Sequence, residues 1–168
     1  MDRLYFETKL ISDEDGSIEG LAWPFGTADR IGDMIEKGAF ASAKVPLPML
    51  FGHDLNDPVG TWDSAEEAPE GLKLKGRLLV NDVARAREVR ALVRSGAVRG
   101  ISIGFRTRKS ANRKGGGRTI TDLELLEASL VTVPMHPGAK VTSAKSAIRA
   151  LALATVLHRA AAQLKRTT

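Results

Sequence analysis

The 168-residue chain contains no cysteine, which excludes disulfides, thiolate catalysis and cysteine-ligated zinc and points to a reducing compartment. No apolar run approaches the roughly 18 residues a membrane span requires. The opening stretch MDRLYFETKL carries acids where a signal peptide would place an apolar region. These absences predict a soluble, unexported protein with no membrane partner. Aromatic residues make up only 5% of the chain, and there are three histidines, so base chemistry has few candidates. Acids are missing from two segments. Residues 106–118 hold six Lys/Arg and no acid, and everything after Glu127 holds six more with no acid. Since the whole chain is at +5, setting those twelve cations aside leaves −7 on the remainder. The body is therefore acidic with two basic appendages. A duplex-binding domain would instead gather its basic residues on one face with aromatics or a recognition helix among them, so no specific nucleic-acid partner is expected.

The length suits one domain with a core of its own. Short runs between turn signals, RLYFETKL, SIEGLAWPFG, PLPMLFGHD, PVGTWDS and GLKLKGRLLV, predict an all-β or α+β barrel core. Asn81-Asp82 can cap a helix from Val83 to Ser95, with Ala86, Val89 and Val93 on one stripe and Gly96 as its stop. Residues 106–118 read as an exposed, flexible hairpin connection, because six like charges and three consecutive glycines bury too little apolar surface to offset their ordering entropy. TITDLELLEASLVTVP then resumes period two, with Leu126, Ala128 and Leu130 on one face and Glu127, Ser129 and Val131 on the other, ended by Pro134 and Pro137. From about Ala144 to Lys165 an Ala-rich helix is predicted, with Leu153, Val156, Leu157, Ala160 and Leu164 as its stripe. The expected division is a domain over 1–142 and a basic helical tail over 143–168.

RGISIGF, residues 99–105, has the spacing G-x-S-x-G. A nucleophile elbow needs a strand, a strained turn at the serine and a helix after it, with the acid and then the histidine later in the chain. Here the helical segment precedes the serine and a Gly/charge-rich connection follows. Ile101, Ile103 and Phe105 alternate with Ser102 and Gly104, the pattern of a half-buried strand with Ser102 facing away from the Ile/Phe side.

A serine hydroxyl is a weak nucleophile without a base, normally a histidine. His158 falls in the Ala-rich C-terminal segment, and His136, between prolines in VPMHPG, reads as a surface loop residue. His53 ends an apolar strand-like run beside Gly52 and is the best placed of the three. An orienting acid completes the set. Asp54 adjoins His53 and so points elsewhere, and Asp57 reads as a turn cap. Glu127 interrupts a strongly apolar strand, where an ionised carboxylate is costly unless paired. Glu124 reads as a solvent-facing strand residue. No helical histidine pair or calcium loop is present, so neither a metal nor a cofactor is expected. Asp29, Arg30 and Asp33 read as local ion pairing in a turn.

The blocks DRIGDMIEKGAF, PMLFGHDLNDPVGTW, GLKLKGRL, VRSGAVRGISIGFR and LELLEASLVTVPMHPGA, in this order over roughly 18–141, resemble the phage prohead (capsid maturation) serine protease family. The resemblance implies an α+β, mainly β fold, a β-barrel core flanked by helices and similar to herpesvirus assembly proteases. It implies His53 as base, Ser102 as nucleophile and Glu127 as orienting acid. Herpesvirus assembly proteases use a second histidine as third member, which keeps His136, with Glu124, as an alternative to Glu127. The implied function is a serine endopeptidase acting on the scaffold segment and major capsid protein inside an immature shell in the host bacterial cytoplasm, with a homo-oligomer among the assembly states open to it. A non-enzymatic scaffold or assembly factor and a general serine esterase are the competing readings.

Overall fold

The computed structural model describes residues 15–142. Their elements run β1 (Ser17–Pro24), β2 (Met34–Ile35), β3 (Leu47–Phe51), β4 (Pro58–Ala68), β5 (Gly71–Leu78), α1 (Ala84–Ser95), β6 (Gly100–Asn112), β7 (Arg118–Val131) and β8 (Lys140–Thr142). The expected strand at 3–10, the C-terminal helix and His158 lie outside the described residues. The mainly β expectation holds, and four of the predicted runs become β1, β3, β4 and β5. Each buries one side by alternation, as Ile18, Gly20 and Ala22 do in β1.

The long strand β7 is the spine of the sheet. One edge pairs antiparallel with β6, from Gly100↔Val131 to Asn112↔Arg118. The other edge takes β2 in parallel at Thr119–Ile120 and β3 in parallel at Ala128–Leu130. From β3 the sheet continues through β4, β5, β1 and β8, all antiparallel.

This sheet is open, which corrects the closed barrel. Its two ends show why. With only three residues, β8 meets the start of β6 through one backbone hydrogen bond, Val141 N–H to Arg99 O at 3.0 Å, and no ladder forms. Curling is instead carried by packing: Ile101 of β6 lies over Gly20 of β1, where an added Cβ would come within 2.4 Å of Ile101 Cδ1. One helix, not several, flanks the sheet among the described residues.

That helix, α1, starts one residue later than expected and stops at Gly96 in the left-handed region, whose N–H bonds Val93 O. Ala86, Val89 and Val93 are its buried stripe, packed against β4 and β5. The Asn81-Asp82 cap is not formed. Extended Val83 holds the N-cap position without a side-chain bond, and the entry turn is made by the N–H groups of Asp82 and Val83 on Leu79 O. The stripe joins one core with Trp23, Met49, Trp62, Leu74, Ile101 and Leu130. Each fully buried aliphatic side chain there contributes about 1.5–3 kcal/mol.

Residues 106–118 are exposed for the most part, as expected, yet they are not a loop. Strand β6 runs to Asn112 and β7 restarts at Arg118, leaving only 113–117 as a turn. Antiparallel pairing satisfies the backbone groups whatever the side chains are. The turn is also fastened, with Arg113 Nη1 donating to Gly32 O at 2.5 Å. Among the described residues no helix is long and apolar enough to cross a membrane.

Candidate active site

Parallel pairing of Phe51 with Leu130 carries the end of β3 alongside β7, and the chain then turns at Gly52-His53. Gly52 N–H bonds Leu130 O at 3.0 Å and His53 N–H bonds Ser129 Oγ at 3.1 Å. His53 has φ 63°, a left-handed conformation that costs a non-glycine residue on the order of 1–3 kcal/mol and persists only when its surroundings enforce it. The enforcement is local. Asp54 N–H bonds Phe51 O, and Asp54 Oδ1 accepts Asn56 N–H at 2.8 Å. Asp54 is therefore the capping residue of this turn, not Asp57. Asp57 instead accepts Arg85 Nε at 3.1 Å, and the Arg85 guanidinium sits 4.8 Å over the Phe51 ring, so α1 clamps the turn from outside.

The His53 ring reaches β7. Its Nδ1 lies 2.7 Å from Glu127 Oε1, and because a carboxylate only accepts, Nδ1 carries the hydrogen and Nε2 is left as the free acceptor. Glu127 is buried, and its other oxygen accepts the Ser129 hydroxyl at 2.7 Å, so the cost of burying the carboxylate is offset at both oxygens. The hydrogen bond to Glu127 raises the His53 pKa above 6.5, against the opposing effect of partial burial, with the carboxylate's charge adding to the rise.

A β-bulge aims Glu127. The ladder slips between Gly104↔Glu127 and Phe105↔Leu125, leaving Leu126 without a partner and 45% exposed. The core-facing phase thereby moves from Leu123 and Leu125 to Ala128 and Leu130, which corrects the placement of Leu126 on the apolar face. Glu127 and Ser129 then share the opposite face with Gly104 and Ser102. Gly104 makes room for the acid: an added Cβ would lie 2.3 Å from Glu127 Oε1. At Gly100 it would lie 2.7 Å from Pro134 Cδ. The two glycines of G-x-S-x-G are thus packing residues of a strand.

Ser102 stands directly across the ladder from Ser129, a relation that puts Cβ atoms about 4.5–5.5 Å apart. It is 5% exposed, and the run from Gly100 to Ile103 is buried on both faces, not half-buried. Among the described residues its hydroxyl makes no hydrogen bond. Such bonds often form only when substrate is present. The fold therefore bonds His53 to Glu127 and brings Ser102 to the same face through Ser129.

The other candidates go elsewhere. His136 is not a surface residue: it is 3% exposed and packs edge-on against Trp23, with ring centroids 4.8 Å apart. Its Nδ1 accepts Gly138 N–H at 3.1 Å, so its hydrogen sits on Nε2, which lies 3.1 Å from Thr27 Oγ1 and 3.2 Å from Thr27 O. Glu124 meets Arg106 and Arg108 across the hairpin at 3.4 Å. Asp33, read as locally paired, instead accepts the backbone N–H and the guanidinium Nε of Arg118 from a distant part of the chain, while Asp29 Oδ1 caps the turn at Ile31 and Asp33 N–H. Among the described residues no group of three His, Asp or Glu side chains could hold a metal ion. Ser129 and Gly104 were given no role by sequence reasoning. The E-x-S spacing, which puts two polar side chains on one face of a buried strand, is the signal that could have found Ser129.

An imidazole bonded to a buried carboxylate, beside a strand-borne serine, is the set of residue types that serine hydrolases use. Residues 5–153 match the caudovirus prohead serine proteases, and the chain belongs to that family. It is 33% identical over 148 residues to the prohead protease of Enterobacteria phage HK97, covering 83% of this chain and 65% of that protein. It is 33% identical over 147 residues to the capsid polyprotein of Pseudomonas phage PAJU2, covering 83% of this chain and 22% of that protein. Against the prohead protease of Escherichia phage T5 the identity is 30% over 126 residues, covering 70% and 58%. The chain thus spans less than two thirds of the length of each of these relatives.

Proposed function

We propose that this chain is a serine endopeptidase that cleaves scaffold and major capsid protein segments during maturation of a phage or phage-like prohead, inside the immature shell in the host cytoplasm. The observation that carries the reading is the 2.7 Å bond between His53 Nδ1 and Glu127 Oε1, formed on the face that also presents Ser102. His53 Nε2 takes the Ser102 hydroxyl proton as Oγ attacks the scissile carbonyl, then returns it to the leaving amine as the acyl-enzyme forms. Water, deprotonated by the same nitrogen, releases the acid product and restores the hydroxyl. Glu127 holds the ring and stabilises the imidazolium throughout. Likeness to herpesvirus assembly proteases is part of the proposal, supported by the histidine-before-serine order along the chain.

Co-expression with the major capsid protein of the same particle, comparing wild type with Ser102→Ala by the masses of the products, tests this reading. Shortened capsid protein is expected only with the wild type, and cleavage that persists in Ser102→Ala would overturn the nucleophile. A fluorophosphonate that never labels Ser102 would make the chain a non-enzymatic assembly factor. Turnover of small esters without capsid cleavage would make it a general esterase.

A further inference from the structure

We propose that Ser129 is a positioning residue, a single hydroxyl that fixes both the His53 backbone and the Glu127 carboxylate, so that the base and its acid are held as one unit. The assignment rests on the serine-protease reading of the site and adds a fourth member to it. Ser129 is fully buried, and its hydroxyl is engaged in both directions: it donates to Glu127 Oε2 at 2.7 Å and accepts from His53 N–H at 3.1 Å. Glu127 Oε1 in turn receives His53 Nδ1–H, which closes a ring of hydrogen bonds through His53 backbone, Ser129, Glu127 and His53 imidazole. Each link answers a specific need. The carboxylate has one oxygen left after bonding the imidazole, and a buried lone oxygen without a donor would be costly. The His53 N–H belongs to a residue at φ 63°, outside the regular ladder, and has to find a side-chain acceptor.

The position of Ser129 makes the coupling geometrically stiff. It lies on β7 two residues after Glu127, so the acid and its donor share one strand face, and it stands directly across from Ser102 on β6. Its own strand is paired on both edges, with β6 and with β3. A shift of the acid relative to the histidine is thereby resisted by backbone pairing on both sides. Precise placement of such groups matters because a misplacement of about 1 Å can cost about 10²-fold in rate.

The test compares Ser129→Ala, Ser129→Cys and Ser129→Thr in the full chain. Two readouts are taken: the midpoint of the His53 ring titration followed by NMR, and the rate at which a fluorophosphonate labels Ser102. Ala removes the hydroxyl, Cys fills its space with a poor donor, and Thr keeps it. In Ala and Cys the His53 midpoint should fall toward the unperturbed value of about 6.5 and labelling should slow by about 10²-fold, while Thr retains both. Wild-type titration in Ala and Cys would overturn the assignment. So would loss of the fold in both, which would make Ser129 a structural residue only. If the wild-type protein is not labelled at Ser102, the endopeptidase reading fails, but the titration still decides the role of Ser129.

Discussion

The β6–β7 ladder has two ends of opposite character. At the inner end, Gly100–Gly104 faces Glu127–Val131, and nearly every position is buried on both faces of the sheet. At the outer end, Arg106–Asn112 faces Arg118–Glu124 and is largely exposed, basic on β6, and held by surface ion pairs such as Arg106 and Arg108 with Glu124. The two ends share strands and backbone pairing but differ in what makes geometry unique. Inside, a side chain can occupy one place because its neighbours are packed. Outside, charges at 3.4 Å with solvent access contribute about 0–1 kcal/mol each and leave side chains free to move. Packing rather than charge therefore fixes the candidate nucleophile and acid, although Ser102 lies four residues from Arg106 and Glu127 three from Glu124.

The largest effect expected is at Ser102. Ser102→Ala should fold normally and lose about 10⁶-fold in kcat on the capsid substrate, as loss of a nucleophile does in the serine-protease template. His53→Ala should be as severe, and the double mutant no worse than either. Additive losses, measured on the same substrate, would separate the two residues and break the unity of the inner end.

Next is the acid. Glu127→Gln keeps the shape but removes the charge, at a cost of up to about 10⁴ in kcat. His136→Ala should cost less than about tenfold in kcat, although it loses the contacts with Trp23, Thr27 and Gly138. The reverse order of effects would move the third role to His136. The pH profile carries the sign. In the proposed mechanism His53 acts as base only when unprotonated, and Glu127 raises its pKa, so kcat/KM of the wild type should rise through a value above 6.5. In Glu127→Gln that limb should move to lower pH. Linkage runs the other way for stability: the bond to Glu127 stabilises the fold fully below about 6.5, and that stabilisation is lost as pH rises through the raised pKa.

How much of this was legible follows from what each signal reports. Alternation placed β1, β3, β4, β5 and the Ser102 strand, and the 3.6-residue stripe gave Ala86, Val89 and Val93 of α1, because both are local periodicities. The open sheet was not legible, since closure depends on whether β8 and β6 meet in register, a contact between residues about forty apart. The Leu126 bulge broke period two in mid-strand, so a pattern carried straight through misplaced that residue. His136 looked like a loop histidine because nothing nearby in sequence reveals Trp23. The 106–118 segment failed for the converse reason: its composition is that of a loop, and pairing with the far strand overrode it. That Glu127 needs a partner was legible, because the cost of burying an acid in an apolar strand is itself a local signal, and the partner is His53.

A third prediction contrasts two glycines of the β6–β7 hairpin, one in the ladder and one in its turn. Gly104→Ala at the inner end brings a Cβ within 2.3 Å of Glu127 Oε1, so the carboxylate must move, and a loss of about 10²-fold in kcat is expected. Gly115→Ala in the outer turn meets nothing within 4 Å, and only its φ of 94° makes it unfavourable. Stability should fall by about 1–3 kcal/mol, with kcat unchanged. Equal kinetic losses in the two would show that the outer turn is coupled to the site.

The smallest effect expected concerns the link that fastens the outer end to the body. Asp33 is buried, and its carboxylate takes the Arg118 N–H at 2.8 Å and Nε at 3.1 Å. The Arg118 hydrogen bonds hold the Asp33 pKa below 3.8, overcoming burial. Asp33→Asn keeps an acceptor for the backbone N–H and removes the charge, exchanging charge-assisted bonds for neutral ones. The difference is about 1 kcal/mol, at the low end because the Arg118 side chain is solvent-accessible. A group with a depressed folded pKa stabilises above its unfolded value and loses that contribution as pH falls through the folded one. The gap in Tm between wild type and Asp33→Asn should therefore be full at pH 5 and shrink below about pH 4. Capsid cleavage at pH 7 should be the same in both, because the ladder at Gly100–Gly104 is held by its own packing. A drop in cleavage that tracks the loss in Tm would instead mean that the register at Ser102 is set from the basic end of the hairpin.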